Sequence, residues 1–387
     1  MNGDDMTEDR KPLAGIRVLD FTRVLAGPYA TAMMADLGAD VVKVEPPSGD
    51  EYRHIGPFRD GESALFQTAN RGKRSIVLDL RSPADLEVAR DLALRADVVV
   101  ENFRPGVMAR LGLDAATLQA DNPRLIYASV SGFGQSGPHA ERPAYDIIVQ
   151  AMSGLMDLTG EPTAAPTMVG EAMADVAGGL FAAWGIMVAL FDRSRTGQGR
   201  VVDLALFDAL LSMMPSAGAR VLVCGADPAR TGNRHALSAP FGLYPAGQGH
   251  FAVAVLNDKL FSAFCEVIGQ PALRDDPRMA SDESRRAHEP VLAEAIAAWA
   301  GGLTAAQAVA ALSAAGVPAS ELASARDAWL SDQAQARGLV SPVTHPVLGS
   351  VSLPEQPVHF SGSQRGMRRA APGLDEHGAE IRAELGK

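Results

Sequence analysis

Ile16-Arg-Val-Leu-Asp-Phe21, the loop Thr22-Arg-Val-Leu-Ala-Gly27, a run from Pro28 to Gly38, and Asp40-Val-Val-Lys-Val-Glu45 together decide the fold. The two outer pieces are short, apolar and β-branched, as buried strands are. Pro28 suits an early helical position, since its fixed φ matches the helix and its missing N–H would have had no partner there. Gly38 fits just past the end of that helix, where a left-handed residue closes the last turn. This is a βαβ unit, and the pattern continues. A strand is predicted at Ser75 to Leu80, a helix from a cap at Ser82 to Ala96, and further strands at Val98 to Asn102 and Leu125 to Ser131. Such alternation predicts a doubly wound α/β domain with a largely parallel sheet.

A strand, loop, helix and second strand ending in the acid Glu45 has the outline of a dinucleotide site. The loop carries one glycine where that site needs three for its turn and its pyrophosphate approach. No GxxxxGK[ST] run occurs either, so nicotinamide chemistry is set aside. The 387 residues suggest roughly two to three domains. Apolar residues make up 47% and charged residues 21%, values of a globular chain. A net charge of −11 argues against a nucleic-acid binder, which would show a basic face. The start, Met1 to Arg10, is polar and acidic, unlike a signal or transit peptide. No stretch is expected to combine membrane-spanning length with freedom from charge. Two cysteines, Cys224 and Cys265, form no framework, so a cytoplasmic location is expected. No metal is expected, because no His/Cys/Asp cluster has ligand spacing.

Asp175 lies in Gly170-Glu-Ala-Met-Ala-Asp175-Val-Ala-Gly-Gly-Leu180 and opens an apolar run, Val176 to Phe191, that reads as a buried helix. As an isolated residue it would be read as an N-cap, its oxygen accepting an orphan backbone N–H. Beyond about residue 215 the pattern changes. Pro215-Ser-Ala-Gly-Ala-Arg220 interrupts the helix pattern, and a strand at His250 to Val255 precedes helices at Lys259 to Ile268, His288 to Trp299 and Thr304 to Ala315.

From Leu13 to Glu384 the chain resembles the class III CoA-transferase family, also called CaiB/BaiF. The blocks that carry the likeness begin with Leu13-Ala-Gly-Ile-Arg-Val-Leu-Asp-Phe-Thr22, Ala26-Gly-Pro28, Leu37 to Glu45 and Gly72-Lys-Arg-Ser75. They continue with Val100 to Gly106, Asn122 to Tyr127, Ser131-Gly-Phe-Gly134, Tyr145-Asp146, the Asp175 segment, Arg195 to Arg200, Gly232-Asn-Arg234, Ala315 to Pro318 and Arg337-Gly338. The resemblance implies a Rossmann-like large domain, a smaller α+β domain and two chains interlocked as rings in a homodimer. It divides the chain into 1–215 (large domain), 216–245 (linker), 246–325 (small domain) and 326–387 (return linker and the end of the large domain).

It also implies an activity, the transfer of CoA from an acyl-CoA to a carboxylic acid, with CoA as substrate rather than a tightly bound cofactor. Asp175 matches the aspartate that carries first the acyl group and then CoA. A carboxylate suits that role because it needs no general base. Burial would raise its pKa, whereas a helix N-terminus would hold its anion. By resemblance the CoA contacts come from Arg23, Val24, Leu25 and Ala26, from Leu78 and Arg81, from Asn102 and Phe103, and from Arg110 and Leu111. Arg81 and Arg110 are the candidates for the phosphates, since a guanidinium forks onto phosphate oxygens. Leu25 stands where some members carry an assisting glutamine, and Pro46 where some carry a phosphate-binding arginine.

Two other activities fit the same outline. Racemases of 2-methylacyl-CoA share the aspartate but need an acid/base pair, and they carry a histidine where this chain has Tyr145, a phenol with a free pKa of about 10. Tyr145 is instead expected to line the thioester site or bond an acyl carbonyl. A non-catalytic CoA-binding protein would keep the phosphate contacts without needing Asp175. Val255-Leu-Asn-Asp258 lies where some members place a glycine-rich lid and contains no glycine, so less closure is expected. Succinate is the donor acid suggested by the resemblance.

Overall fold

The computed structural model describes residues 11–363, 365–367 and 369–387. The acidic start, Met1 to Arg10, lies outside them. The chain forms two compact units. The larger takes the residues up to Leu155, Val169–Val223 and Asp332–Lys387; the smaller takes Met156–Met168 and Cys224–Ser331. The smaller unit thus includes a segment, 156–168, that the sequence reading placed in the large domain, and starts well before residue 246. Arg230 ties that segment in by donating to the Asp157 carboxylate and carbonyl, both at 3.0 Å, and to the Ala164 carbonyl.

The larger unit is built on six parallel strands, β1 (Arg17–Asp20), β2 (Asp40–Glu45), β3 (Arg74–Val77), β4 (Val98–Glu101), β5 (Ile126–Ser131) and β6 (Val201–Ala205). Their order is β3-β2-β1-β4-β5-β6, the doubly wound order of dinucleotide-binding folds. Alternate residues feed two cores. Val18, Val41, Val98, Val100 and Ile126 join one layer with helices α1 (Ala26–Asp36) and α4 (Met173–Thr196). Leu19, Val42, Val99 and Tyr127 join the other with helix α2 (Pro83–Arg95) and Ile381 of the C-terminal helix. Because both faces are covered, the strands read as unbroken apolar runs, which is why the sequence shows them. The helix α3 (Asp146–Met152) follows β5 in the chain.

α4 corrects one expectation. It is long and apolar enough to cross a membrane by length and composition. Here that character serves the core, since Ala174, Ala182, Ile186 and Ala189 are buried in it and the helix packs on β5 and β6. It starts at Met173, so Asp175 sits in its first turn rather than at the N-cap.

The smaller unit has a three-stranded antiparallel sheet, β7 (Phe241–Pro245), β8 (His250–Ala254) and β9 (Ala319–Glu321), in the order β9-β8-β7. Tyr244, Phe251, Phe264 and Ile296 fill its core. Arg234, from the Gly232-Asn-Arg234 motif, stacks on Tyr244 at 3.9 Å and bonds Glu289. In the segment Val255-Leu-Asn-Asp258, Val255 is buried and Asn257 caps the next helix through the Leu260 N–H. It is a pinned strand-to-helix turn.

Candidate active site

In a doubly wound sheet the crevice opens where the strand order reverses, beyond the carboxyl ends of the two central strands. Here those strands are β1 and β4, and the loops that leave them are tied to each other. Asn102 accepts the Arg23 N–H at 2.9 Å and donates to the Arg23 carbonyl at 2.8 Å. The next residue, Val24, holds φ at +67°, a left-handed conformation that costs a β-branched residue about 1–2 kcal/mol. Its N–H is accepted by Asp50 at 3.2 Å, and the same oxygen accepts the N–H of Tyr52 at 2.9 Å.

Beside this loop lies a cavity of about 310 Å³, lined by Arg23, Val24, Leu25, Ala26, Asn102, Phe103, Tyr145 and Asp175 among others. Eight residues singled out from the sequence therefore meet in one place. Two glycines allow it. A Cβ on Gly179 would lie 2.6 Å from the Ala26 carbonyl oxygen, and one on Gly178 would lie 2.2 Å from Leu206. Without side chains there, the second turn of α4 comes directly against the first turn of α1. Asp175 is held one turn away from that contact.

Asp175 does not use the N-terminus of its own helix as an anion site. Asp146, the first residue of α3, occupies that end instead, accepting the Ala174 N–H at 2.7 Å and the Asp175 N–H at 3.4 Å. No residue at the start of α4 itself supplies a side-chain cap. Burial, and next the Asp146 carboxylate, push the Asp175 carboxyl up to about 7. Of the two opposed effects that the sequence left open, burial dominates, because the helix donors are already taken. Tyr52 is pushed up to about 12 by burial first and then by Asp175, Asp50, Asp146 and Glu171. Tyr52, which shares the Asp50 oxygen with Val24, was missed in the sequence, where nothing but its nearness to the Gly49-Asp50 turn marks it.

A second cavity, of about 360 Å³, is lined by Leu78, Arg81, Phe103, Leu111, Arg23 and Pro46 among others. Arg23 and Phe103 belong to both cavities and stack at 4.8 Å, with Arg23 also paired to Glu51 at 3.0 Å. The two spaces are thus neighbours across one cation–aromatic pair. Pro46 gives its wall an apolar surface rather than a cation. Arg81 lies at the mouth, 87% exposed and bonded to Asp79 at 2.9 Å, so a phosphate there would compete with that carboxylate. Arg110 lines neither cavity. It is exposed at the end of the short helix Val107–Arg110, close to Gly106. Among the described residues, no group of three His, Cys, Asp or Glu could hold a metal ion.

Two neighbouring cavities thus sit at the switch point, one with largely apolar walls and one holding a carboxyl of raised pKa that has no hydrogen-bond donor among the described residues. Residues 13–378 match the family model for CoA-transferase family III. The chain is 43% identical over 377 residues to an acetyl-CoA:oxalate CoA-transferase of Acetobacter aceti, covering 97% of this chain and 96% of that one. It is 39% identical over 389 residues to a succinate–glutarate CoA-transferase of Agrobacterium fabrum, covering 98% and 97%. A crystal structure of a CaiB/BaiF family protein from Brucella suis superposes with a TM-score of 0.87 at 38% identity, covering 97% of this chain and all of that one. The chain belongs to CoA-transferase family III, and it is an enzyme that transfers CoA between an acyl-CoA and a carboxylic acid.

Proposed function

We propose that the enzyme transfers CoA between short dicarboxylic acids, with Asp175 as the covalent carrier. The observation that carries this is the Asp175 carboxylate itself, without a hydrogen-bond donor from the described residues and facing the cavity that also holds Leu25, Ala26 and Tyr145. Each step exchanges one acyl bond for another. The Asp175 oxygen attacks the thioester carbonyl, the C–S bond breaks, and CoA leaves as thiolate with a mixed anhydride behind it. The thiolate then attacks the Asp175 carbonyl carbon, which frees the donor acid and leaves an aspartyl-CoA thioester. The acceptor carboxylate attacks that thioester, giving a second anhydride and CoA thiolate. Attack of the thiolate on the acceptor's acyl carbon completes the transfer and restores Asp175. No proton moves, so the site needs no general base, and a raised carboxyl pKa makes the anion a better nucleophile.

The second cavity, with Leu78 and Leu111, suits the adenosine end of CoA, and the route past Arg23 and Phe103 suits its pantetheine arm. Leu25, Val130, Ala144 and Leu206 give the Asp175 cavity apolar wall, with Arg104 and Arg142 at the same cavity. Methylene groups between two carboxylates would meet that wall well, which favours succinate or glutarate over oxalate. CoA enters and leaves as substrate.

A homodimer is part of the proposal. Leu180, Trp184, Val188 and Phe191 form one exposed apolar stripe along α4, with Trp184 and Phe191 each 65% exposed. A contiguous patch of that kind marks an interaction surface. A cytoplasmic location is supported by two free cysteines, and the net charge of −11 argues against nucleic-acid partners.

The test is acyl exchange. Succinyl-CoA with isotope-labelled glutarate should yield labelled glutaryl-CoA, and oxalate should be at least about tenfold slower in kcat/KM. Absence of exchange with every diacid pair would overturn the activity proposed. Solvent deuterium at the α-carbon of a 2-methylacyl-CoA would point to racemase chemistry instead.

A further inference from the structure

We propose that Asp50 is a positioning residue for the Asp175 site: one buried carboxylate that sets the places of Val24 and Tyr52 together. This rests on the reading of Asp175 as acyl carrier. Asp50 is fully buried. Its Oδ1 accepts the N–H groups of both Val24 and Tyr52, at 3.2 and 2.9 Å, while Oδ2 lies 2.7 Å from the Lys43 ammonium, itself fully buried. Lys43 in turn donates to the Thr22 carbonyl at 2.8 Å, and Glu45 accepts the Asp50 N–H at 3.1 Å. The carboxylate therefore stands between two segments that border the Asp175 cavity, the Arg23–Ala26 loop and the turn that begins at Glu51.

The chemistry calls for a carboxylate here. An amide could offer one oxygen to the two N–H groups but would take from the buried Lys43 ammonium the carboxylate it pairs with. Charge-assisted bonds are also stronger and shorter in reach than neutral ones. Val24 needs that hold, because a β-branched residue left to itself returns to negative φ. Such a return would swing the backbone on which Leu25 is carried. Asp50 touches no substrate in this arrangement; it acts through the two backbones it grips.

Two variants test it. Asp50→Glu keeps the charge opposite Lys43 but moves the acceptor oxygen by about 1.5 Å. Asp50→Asn combined with Lys43→Met removes charge from both partners at once. In whichever folds, kcat should fall about tenfold or more, since small misplacements at a reacting centre are costly. Adding Val24→Gly, which accepts positive φ at no steric cost, should recover at least about threefold of the lost kcat. Wild-type kcat in a folded variant, or a loss that Val24→Gly leaves untouched, overturns the proposal. The wild-type enzyme gives an independent readout through amide exchange. The Val24 and Tyr52 amides should open together, at rates within about threefold of each other after correction for intrinsic exchange. Rates differing by more than about tenfold overturn the shared hold. Turnover surviving in Asp175→Ala would overturn the carrier reading, and the exchange rates would still report on Asp50.

Discussion

The Asp146 carboxylate accepts the backbone N–H of Asp175 at 3.4 Å, and of Ala174 at 2.7 Å, so one acid caps the helix that carries the other. Two consequences follow for Asp175. It loses the helix donors that would have stabilised its anion, and it gains a negative neighbour. With burial as the larger cause, its carboxyl is raised to about 7. The attacking species is the anion, so kcat/KM for acyl-CoA should rise about tenfold per pH unit below 7 and level off above it. In Asp146→Asn the cap acceptor is kept and the charge is lost. The acid limb should then move down by about one pH unit, read from a pH–rate profile.

Asp175→Asn should abolish turnover and stabilise the fold. A carboxyl raised from 3.8 to about 7 on folding penalises the native state wherever the unfolded chain is ionised and the folded one resists it. That penalty is small at pH 4, grows through pH 7 and is constant above. Discounted for partial solvent exposure, it amounts to ~2 kcal/mol at pH 8. Denaturation midpoints of the two proteins should therefore differ at pH 8 and nearly coincide at pH 4.

Gly179→Ala should cost about 1–3 kcal/mol, because the added methyl meets the Ala26 carbonyl at 2.6 Å and backbone must give way. The shift would displace α1's first turn from Asp175. A chemical denaturation curve and kcat measured on the same sample should both fall.

The homodimer proposed through the exposed stripe of α4 predicts that Trp184→Asp sediments as a monomer where the wild type sediments as a dimer, because a charge buried in an apolar interface is left without a partner. A dimer of unchanged stability would place the interface elsewhere.

Much of the fold was legible because the strands of a doubly covered sheet are apolar on both faces. Asp40–Glu45 could be bounded to the residue, and the helix after Ser82 nearly so. The sixth strand, Val201–Ala205, was hidden by Asp203, whose carboxylate is engaged by the Gln135 N–H at 3.1 Å. Pro215 read as a break, yet it opens a helix that runs to Leu222, since a proline costs nothing in a first turn. At the site, Asp175, Tyr145 and the Arg23–Ala26 loop, singled out by the resemblance, line one cavity. What it could not give was the support: Asp50 accepts the backbone N–H groups of Val24 and Tyr52, and the positive φ of that loop leaves no sequence mark on a valine. Arg110, carried over by motif, lines neither cavity.

The most direct test of the account is hydroxylamine trapping followed by peptide mass mapping. Incubated with succinyl-CoA and quenched with hydroxylamine, the enzyme should carry a hydroxamate on Asp175, dependent on donor and absent from Asp175→Asn. An unmodified Asp175 peptide, in enzyme that is exchanging CoA at the time of the quench, would contradict a covalent carrier at this residue.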